Sequence, residues 1–341
     1  MFPFRKTGPP PHGRDILAPG MDTDLLYAPH GEPGRFFSPW QPFNTRFKDI
    51  LKWQLAKKEF DKSAPIQVPV VPNDGAYLKD GEQPDSITWV GHSTFAIQDG
   101  GEVVLTDPHF GPRALLPRRL TPPGLPIDSI PPDAFAVLSH NHYDHMDSWT
   151  VRRLPDSIQW FVPLGLGDWF RRKGRKRVVE MDWWQTARHG RWTLTCLPIQ
   201  HWSNRLGMRR NSTLWCSWLL DSGERRYYFA GDSGYFHGFK EFGRRFSPID
   251  VAFLPIGAYE PRWFMRYQHV NPEEGYQAFL DLGAKVMIPM HWGCFDLTDE
   301  PTDLAPKVLS GILEREGADR ERVRTMAVGE RWLPSGRSLP L

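Results

Sequence analysis

The rhythm of hydrophobic and polar positions changes near residue 86. From there onward, short apolar runs of strand type follow one another closely, and three stretches between them have helical spacing. The strand-like runs are ITWV, STFAIQ, EVVLTD, AFAVLSH, IQWFVP, RVVEM, WTLTCLPIQ, TLWCSWLLD, RYYFAGD, VAFLPIG, VMIPMHW and VRTMAV. The helical stretches are Leu164–Lys173, Pro272–Leu282 and Asp303–Glu316. Many strands with a few interspersed helices predict an α/β domain of two sheets with helices outside.

The first 80 residues have a different character. Residues 1–35 are rich in proline, glycine and charge without periodicity, which is typical of a disordered or surface-wrapped start. An amphipathic helix is predicted over 46–60, and we favour its docking on the core over its contact with a membrane. Its apolar positions are Phe47, Ile50, Leu51 and Leu55. The predicted division is an N-terminal extension over 1–80, packed on one domain over 81–341.

Length, charge and cysteine content narrow the protein class. The 341 residues are 40% hydrophobic and 24% charged, enough for a large buried core. The 42 Lys and Arg nearly balance the 40 Asp and Glu, which argues against a nucleic-acid-binding protein. No run reaches the ~18 apolar residues of a membrane span and no signal peptide is evident, so a cytoplasmic protein with peripheral membrane contact is expected. With only 3 cysteines, a metal site would use histidine and carboxylate.

The segment Val137–Asp147, VLSHNHYDHMD, carries the strongest chemical signal. An apolar strand ends there in four candidate metal ligands, at a position where α/β active sites commonly lie. These candidates are His140, His142, Asp144 and His145. Imidazole mixed with carboxylate suits Zn²⁺, and Fe or Mn as well. Two neighbouring ions need further ligands, and three other strand ends supply His201, Asp232 and His291, of which Asp232 can bridge both ions.

Other polar residues are candidates for supporting roles. Asp107 in the LTDP turn and His92 are candidates for orienting a metal-bound histidine, with a purely structural role equally open. Cys294, three residues after His291, is expected to be a buried bystander. We interpret the basic run Arg171–Arg177 as a solvated helix end, with a patch that attracts anions or lipid headgroups as the alternative.

At this point the chain resembles the metallo-β-lactamase superfamily, in which HxHxDH is followed by His, Asp and His. From about Gly34 onward it further resembles the family of N-acyl-phosphatidylethanolamine-hydrolysing phospholipases D. The matching blocks are GRFFSPW, ITWVGHSTF, LTDPHF, LSHNHYDHMD, WFVPLGLGDW, EMDWWQ, QHW, LWCSW, FAGDSGYF, PIGAYEPRWFMRYQHVNPEE and MHWGCF. The resemblance implies an α/β fold of the αββα sandwich type, with a two-metal site between the ends of the sheets.

The resemblance also implies residue roles. The first ion is assigned to His140, His142 and His201, the second to Asp144, His145 and His291, and the bridge to Asp232. His269, in the YQHV string, corresponds to the family's active-site histidine, and Tyr143 lies where substrate phosphate is expected. Asp144, His269 and Tyr143 are therefore the predicted catalytic residues.

The implied activity is hydrolysis of N-acyl-phosphatidylethanolamine to N-acylethanolamine and phosphatidic acid, by attack of a hydroxide that bridges two Zn²⁺ ions. His269 would stabilise phosphoryl charge or protonate the leaving oxygen. A phospholipid substrate, a membrane surface and a homodimer are the expected partners, without nucleic acid. Two alternatives stay open. One is another hydrolase of this fold, a lactonase of a sugar phosphate or a soluble phosphodiesterase; the other is a membrane-associated binding protein with structural metals.

Overall fold

The structure, a computed structural model, describes residues 22–41 and 45–334. The first 21 residues of the predicted disordered start lie outside this range. Within it, no helix is long and apolar enough to cross a membrane. Two mixed β-sheets stack face to face and helices cover their outer faces, which confirms the predicted αββα sandwich.

The described residues form fifteen strands, seven α-helices and four 3₁₀ helices. The strands are β1 Gly31–Glu32, β2 Arg35–Phe36, β3 Ser86–Gly91, β4 Thr94–Asp99, β5 Glu102–Thr106, β6 Phe135–Val137, β7 Gln159–Pro163, β8 Val178–Met181, β9 Thr186–His189, β10 Trp192–Leu197, β11 Ser217–Asp221, β12 Arg226–Phe229, β13 Val251–Pro255, β14 Val286–Met290 and β15 Arg331–Trp332. The α-helices are α1 Phe47–Leu55, α2 Ser148–Arg153, α3 Gly167–Arg172, α4 Gly238–Phe246, α5 Arg262–Met265, α6 Pro272–Leu282 and α7 Leu304–Arg315. The 3₁₀ helices are Thr23–Leu26, Ala76–Lys79, Ile127–Ser129 and Arg320–Arg322.

The directions of the strands place the carboxyl ends of six of them at one edge of the sandwich. The first sheet has the order β15-β3-β4-β5-β6-β7-β8, antiparallel as far as β5 and parallel from β5 to β8. The second has the order β14-β13-β12-β11-β10-β9, with β12, β13 and β14 parallel and the others antiparallel. Strands β3, β5 and β6 therefore run in one direction, as do β10, β12 and β14.

Two hydrophobic cores hold the layers together. The larger fills the space between the sheets and continues under α4, α6 and α7; Trp218 and Phe253 are fully buried in it. The smaller lies between the first sheet and helices α2 and α3, where Trp160 meets Phe170. Burial of each such aromatic side chain stabilises the fold by about 1.5–3 kcal/mol. Because these strands are covered on both faces, their sequences are continuous apolar runs rather than alternating ones.

Most predicted elements agree with the structure, and two differ. Helix α6 has the predicted bounds because Asn271 caps its start and Gly283, in the left-handed conformation, ends it. The VRTMAV run is not a strand. Its two valines pair through single bridges with different neighbours, Val323 with Met287 and Val328 with Val70, so no ladder forms.

Helix α1 is shorter than predicted and less docked. It ends at Leu55 because Ala56 has an extended backbone, with ψ at 145°. Trp53 connects the helix to the domain, because its ring stacks on Phe264 with centroids 5.1 Å apart and its indole N–H donates to Asp299. The side chains of Leu51 and Leu55 are 49% and 77% exposed. The favoured prediction, that the apolar face of this helix is docked on the core, is therefore wrong for these residues.

Two further predictions concern the N-terminal extension and the basic run Arg171–Arg177. Leu26, Trp40 and Leu78 contribute to the buried cores, so residues before 81 are interleaved with the sandwich; the domain boundary near residue 80 stays a prediction. The basic run Arg171–Arg177 is not uniformly solvated. Arg175 is only 3% exposed and forms an ion pair with Asp156.

Candidate metal centre

Six strand ends meet at one edge of the sandwich and carry the predicted ligands. Strand β6 leads into the HNHYDH segment, and the other five lead into His92, Asp107, His201, Asp232 and His291. Because these strands run in one direction within each sheet, their final residues converge. All seven predicted ligands lie in this one buried cluster, together with His92 and Asp107.

Two groups of four ligand atoms are present in the cluster, besides two sets of three that share residues with them. The first consists of His140, His142, His201 and Asp232, and the second of His92, Asp144, His145 and His291. Within each group the atoms lie within 4.8 Å of one another. His142 Nδ1 is 2.9 Å from His140 Nε2 and 3.2 Å from His201 Nε2. Nitrogens bound at ~2.0–2.1 Å to a tetrahedral ion are about 3.3 Å apart, so the donor spacing fits Zn²⁺.

Asp232 lies between the two groups. Its Oδ2 is 3.1 Å from His145 Nε2 and 3.8 Å from His140 Nε2, and its Oδ1 is 3.1 Å from His291 Nε2. His145 Nε2 and Asp232 Oδ1 are buried, yet neither has a hydrogen-bond partner among residues 22–41 and 45–334. A carboxylate in this position is suited to bridge two cations, as the sequence predicts.

Hydrogen bonds behind the cluster turn the histidines toward it. His145 Nδ1 donates to Asp107 over 2.6 Å, and Ser139 Oγ donates to the same carboxylate over 2.5 Å. Ser139 Oγ then accepts from His140 Nδ1, 2.8 Å away. His201 Nδ1 donates to the backbone carbonyl of Gln268. Each of these bonds leaves Nε2 of its imidazole facing the cluster, which is how metal-binding histidines are usually oriented.

Asp107 therefore has the predicted orienting geometry toward both groups, directly through His145 and by way of Ser139. His92 differs from its prediction, because its Nε2 lies 3.0 Å from the carboxylate of Asp144 rather than from a histidine. Cys294 is buried but belongs to neither group.

The electrostatics of the cluster favour cations. Burial lowers the pKa of His140 and His201 well below the usual value, and the neighbouring imidazoles lower it further. Burial also lowers the pKa of His145, but the carboxylates of Asp232 and Asp144 outweigh it and hold the pKa well above the usual value. Burial lowers the pKa of His291 as well, but Asp232 and Asp144 together outweigh it and raise this pKa to about 9. His145 and His291, beside the buried carboxylates, thus favour the protonated form, whereas His140 and His201 offer neutral imidazole donors.

The backbone around the cluster is held in an uncommon conformation. His92, Asp107 and His291 have φ of 55°, 33° and 63°, in the left-handed region that residues other than glycine rarely adopt. Each position costs on the order of 1–3 kcal/mol, which the surrounding packing must offset. Such positions are common where a chain must aim a side chain into an active site.

The cluster forms the floor of a cleft of about 760 Å³. The predicted catalytic residues Tyr143 and His269 line this cleft beside Asp144. His269 Nδ1 lies 3.8 Å from Asp232, and burial lowers the pKa of this histidine to about 3. Tyr143 accepts a hydrogen bond from the backbone N–H of Leu206. The predicted residues are thus brought together on one surface.

The walls of the cleft are apolar and were not predicted. Their apolar lining residues include Ile50, Leu115, Leu116, Leu206, Phe264 and Leu297. Arg205 and Gln268 are further polar lining residues without a sequence prediction. The sequence signal that could have identified Arg205 is its position four residues after the predicted ligand His201. The leucines lie in irregular segments whose position over the site depends on long-range packing.

Comparisons with known proteins agree with this geometry. The sequence model of the beta-lactamase superfamily domain matches residues 102–292. N-acyl-phosphatidylethanolamine-hydrolyzing phospholipase D 1 of Caenorhabditis elegans is 36% identical over 270 residues, which cover 73% of this chain and 76% of that protein. The chain belongs to the N-acyl-phosphatidylethanolamine-hydrolysing phospholipase D family of the beta-lactamase superfamily.

Other members and neighbours of this family support the same fold and class. The mitochondrial phospholipase D of the same description from Saccharomyces cerevisiae is 32% identical, covering 71% of this chain and 54% of its own length. A metallo hydrolase from Ignicoccus hospitalis has a similar solved structure, with a TM-score of 0.56, 21% identity and coverage of 73% of this chain and 98% of that one. The chain is therefore a hydrolase of the metallo-β-lactamase fold, with histidine and aspartate clusters for divalent metal.

Proposed function

We propose that this protein is a zinc-dependent phosphodiesterase of the phospholipase D type, which hydrolyses N-acyl-phosphatidylethanolamine to N-acylethanolamine and phosphatidic acid. One observation carries the choice of a lipid substrate. The metal cluster is reached through an apolar cleft whose mouth is rimmed by exposed leucines. A sugar phosphate or another soluble phosphodiester, the alternative substrates, would gain little from such walls. The names of the worm and yeast relatives support the same substrate.

The division of the cleft matches the division of a phospholipid. Ionisable side chains are concentrated on the floor, where Asp144, Asp232 and His269 lie, whereas leucines and aromatic rings form the walls. A phosphodiester can reach the floor while its alkyl chains remain against apolar surface. Each buried CH₂ group contributes about 0.8 kcal/mol, so a few methylene groups on these walls would distinguish a lipid from a soluble ester.

The residues present fit two divalent ions, with Asp232 shared between the groups. When bound, divalent metal lowers the pKa of water and neutralises phosphoryl charge. Zn²⁺ is the ion that the mixed imidazole and carboxylate donors favour, and Fe or Mn suit the same donors. Ser139 and Asp107 orient His140 and His145, so that the Nε2 atoms of these histidines would face bound ions.

The remaining polar groups serve the substrate. His269 lines the cleft beside Asp232 and, with its pKa lowered to about 3, is neutral at pH 7. A neutral imidazole donates an N–H hydrogen bond to a phosphoryl oxygen but holds no extra proton for the leaving oxygen. Of the two roles predicted for His269, stabilisation of phosphoryl charge is therefore the better supported. Tyr143 lies on the same floor, with its hydroxyl available as a donor to phosphate.

The proposal includes peripheral contact with a phospholipid bilayer, at the cytoplasmic face of a membrane. Leu115, Leu116 and Leu206 at the cleft mouth are 53%, 78% and 89% exposed. Leu115 has φ of 61°, an uncommon conformation for leucine, in the turn that exposes both leucines. Arg113 and Arg118 are exposed on the two sides of this turn, and cations beside apolar tips suit an anionic lipid surface. The alternative partner for this surface is a second copy of the chain, which would cover the same leucines in a homodimer.

Metal analysis of the purified protein, coupled to a hydrolysis screen, tests the proposal. The expected result is about two zinc ions per chain and release of N-acylethanolamine from N-acyl-phosphatidylethanolamine in mixed vesicles. Sugar-phosphate lactones and soluble phosphodiesters are the matched alternative substrates. If the metal-loaded protein cleaved only these, the lipid assignment would be wrong while the metal centre stood.

A further inference from the structure

Arg205 is a buried cation that the proposed reaction leaves without a role. Its side chain is 6% exposed, and its hydrogen bonds all go to neutral acceptors. Burial lowers the pKa of Arg205 to about 10, so the guanidinium is still charged at pH 7. Arginine is rarely buried without a paired carboxylate, because removing its charge from water is costly. The cation must therefore be held for something that a neutral side chain does not supply.

The contacts of Arg205 span the segment that carries four of the predicted metal ligands. Nη1 donates to the backbone carbonyl of Asn141 over 3.0 Å and to that of Met146 over 2.8 Å. Asn141 lies between His140 and His142, and Met146 directly follows His145. The two carbonyls are thus at opposite ends of the loop, and one nitrogen joins them.

Three further contacts fix the plane of the guanidinium. Its central carbon lies 4.0 Å from the ring centroid of Tyr143 and 5.2 Å from that of Trp169. Nη2 lies 3.3 Å from Ser148 Oγ, at the start of α2. A planar group held against an aromatic face has little freedom to turn, so its donors stay aimed at the loop.

We propose that Arg205 is a positioning residue for the metal centre, which ties both ends of the 140–146 loop to the segment that carries His201. The two segments are also joined by the backbone N–H of Asn204, which donates to the side-chain oxygen of Asn141. Movement of one segment would separate His201 from His140 and His142. This inference rests on the proposed metal centre and does not depend on the lipid substrate.

Arginine suits this role because it combines several donors with a flat, permanently charged group. Methionine at this position would fill similar volume but donate no hydrogen bond. Lysine would keep the charge, but its compact ammonium group cannot stack on Tyr143 while reaching both carbonyls. The two substitutions therefore separate the effect of the positive charge from the effect of the planar guanidinium with its several donors.

Zinc affinity of the full-length chain, measured by titration against a competing chelator, tests the inference. We expect Arg205→Met to weaken zinc binding by roughly 10–100-fold, the range found when groups that orient metal ligands are removed. Arg205→Lys should recover only part of this loss. The sign is informative, because removal of a positive charge near a cation site would strengthen zinc binding if only electrostatic repulsion mattered.

Arg175→Met is the matched control. Arg175 is also buried, at 3% exposed, and its ion-pair partner is Asp156, which belongs to neither ligand group. This variant should lower the melting temperature without changing zinc affinity. Unchanged or tighter zinc binding in Arg205→Met, or full recovery in Arg205→Lys, would overturn the inference; the lysine variant decides it should the methionine variant not fold. Absence of zinc from the unmodified cluster would overturn the metal centre itself, and this inference with it.

Discussion

The floor and the mouth of the cleft are built in opposite ways. On the floor, charged and polar side chains are buried, and hydrogen bonds from Asp107 and Ser139 fix their orientation. At the mouth, apolar side chains are exposed, and Leu116 and Leu206 are among the most solvent-accessible of the large hydrophobic residues described. Both arrangements cost free energy in an isolated soluble chain. Under the proposed function, a cation bound on the floor and a bilayer at the mouth would offset these costs.

The difference implies that chemistry and substrate delivery can be disturbed separately. The residues of the floor follow strand ends of both sheets, so the sandwich holds their backbone in place. The mouth depends on α1, the 114–117 turn and residues 206–208, whereas Asn204 and Arg205 are bonded to the floor. A change at one of the two regions should leave the other intact.

Metal removal is expected to have the largest effect and to act on the floor alone. With the ions chelated, turnover should fall to below roughly a thousandth, because neither the nucleophile nor the phosphoryl charge is stabilised. Binding to phospholipid vesicles, measured by sedimentation, should stay within about twofold because the leucines at the mouth are unaffected. Restoration of turnover by added Zn²⁺ is the control. A chelated protein that kept its activity, or lost vesicle binding as well, would contradict this separation.

The next largest effect is expected from Asp232→Asn. An amide is a poor bridge between two cations, so we expect at least one ion to be lost and turnover to fall by roughly 10²–10³-fold. The matched control is Asp99→Asn, because Asp99 is equally buried but pairs with Arg191 at the opposite ends of the strands. That control should reduce stability without changing the metal content. If metal analysis found two ions per chain in Asp232→Asn, the bridging role of Asp232 would be wrong.

The same contrast explains what could be predicted from the sequence. The floor was predictable because its ligands lie at the end of an apolar strand or in the loop that follows it, and parallel strands bring such residues together. Leu115, Leu116 and Leu206 were not, since a single exposed leucine in a loop carries no periodic signal. Helix α1 shows the limit most clearly. The sequence shows its amphipathic spacing. Which face of the helix contacts the domain, however, depends on the stacking of Trp53 on Phe264, more than 200 residues away in the sequence.

A smaller effect is expected at the mouth. The double substitution Leu115→Ser and Leu116→Ser should weaken binding to vesicles that contain anionic lipid by roughly tenfold or more, since each leucine transferred from water contributes about 1.5 kcal/mol or more. Turnover of a short-chain, dissolved substrate should not change. Equilibrium sedimentation on the same variants tests the dimer. A loss of self-association, with vesicle binding unchanged, would show that a second copy covers this surface.

Leu280→Ser with Val308→Ser is the matched control for that pair. These residues are also apolar and 45% and 38% exposed, but they lie on α6 and α7 and do not line the cleft. They should leave vesicle binding unchanged. Equal weakening by both pairs would mean that the protein meets membranes through general hydrophobicity rather than through the mouth.

The smallest effect on function is expected from a buried histidine beside the floor but outside both ligand groups, where the change is in stability alone. Burial lowers the pKa of His109 to about 4, which outweighs the opposing influence of Asp147. Both ring nitrogens are buried and lack a hydrogen-bond partner among the residues that the structure describes. In the unfolded chain this histidine takes up a proton below about pH 6.5, whereas in the folded chain it stays neutral. Its contribution therefore destabilises the fold increasingly as the pH falls from 6.5 toward 4.

His109→Phe should remove that part of the pH dependence, because phenylalanine binds no proton and can pack against Phe295, whose ring centroid lies 4.9 Å away. Relative to the unmodified chain, the variant should gain roughly 1–3 kcal/mol of unfolding free energy between pH 7.5 and pH 5. Urea unfolding at the two pH values, with zinc at the same saturating concentration, measures the difference. A gain that was the same at both values would mean that the effect is packing rather than proton linkage. Turnover at pH 7.5 should not change, since His109 lies in neither ligand group.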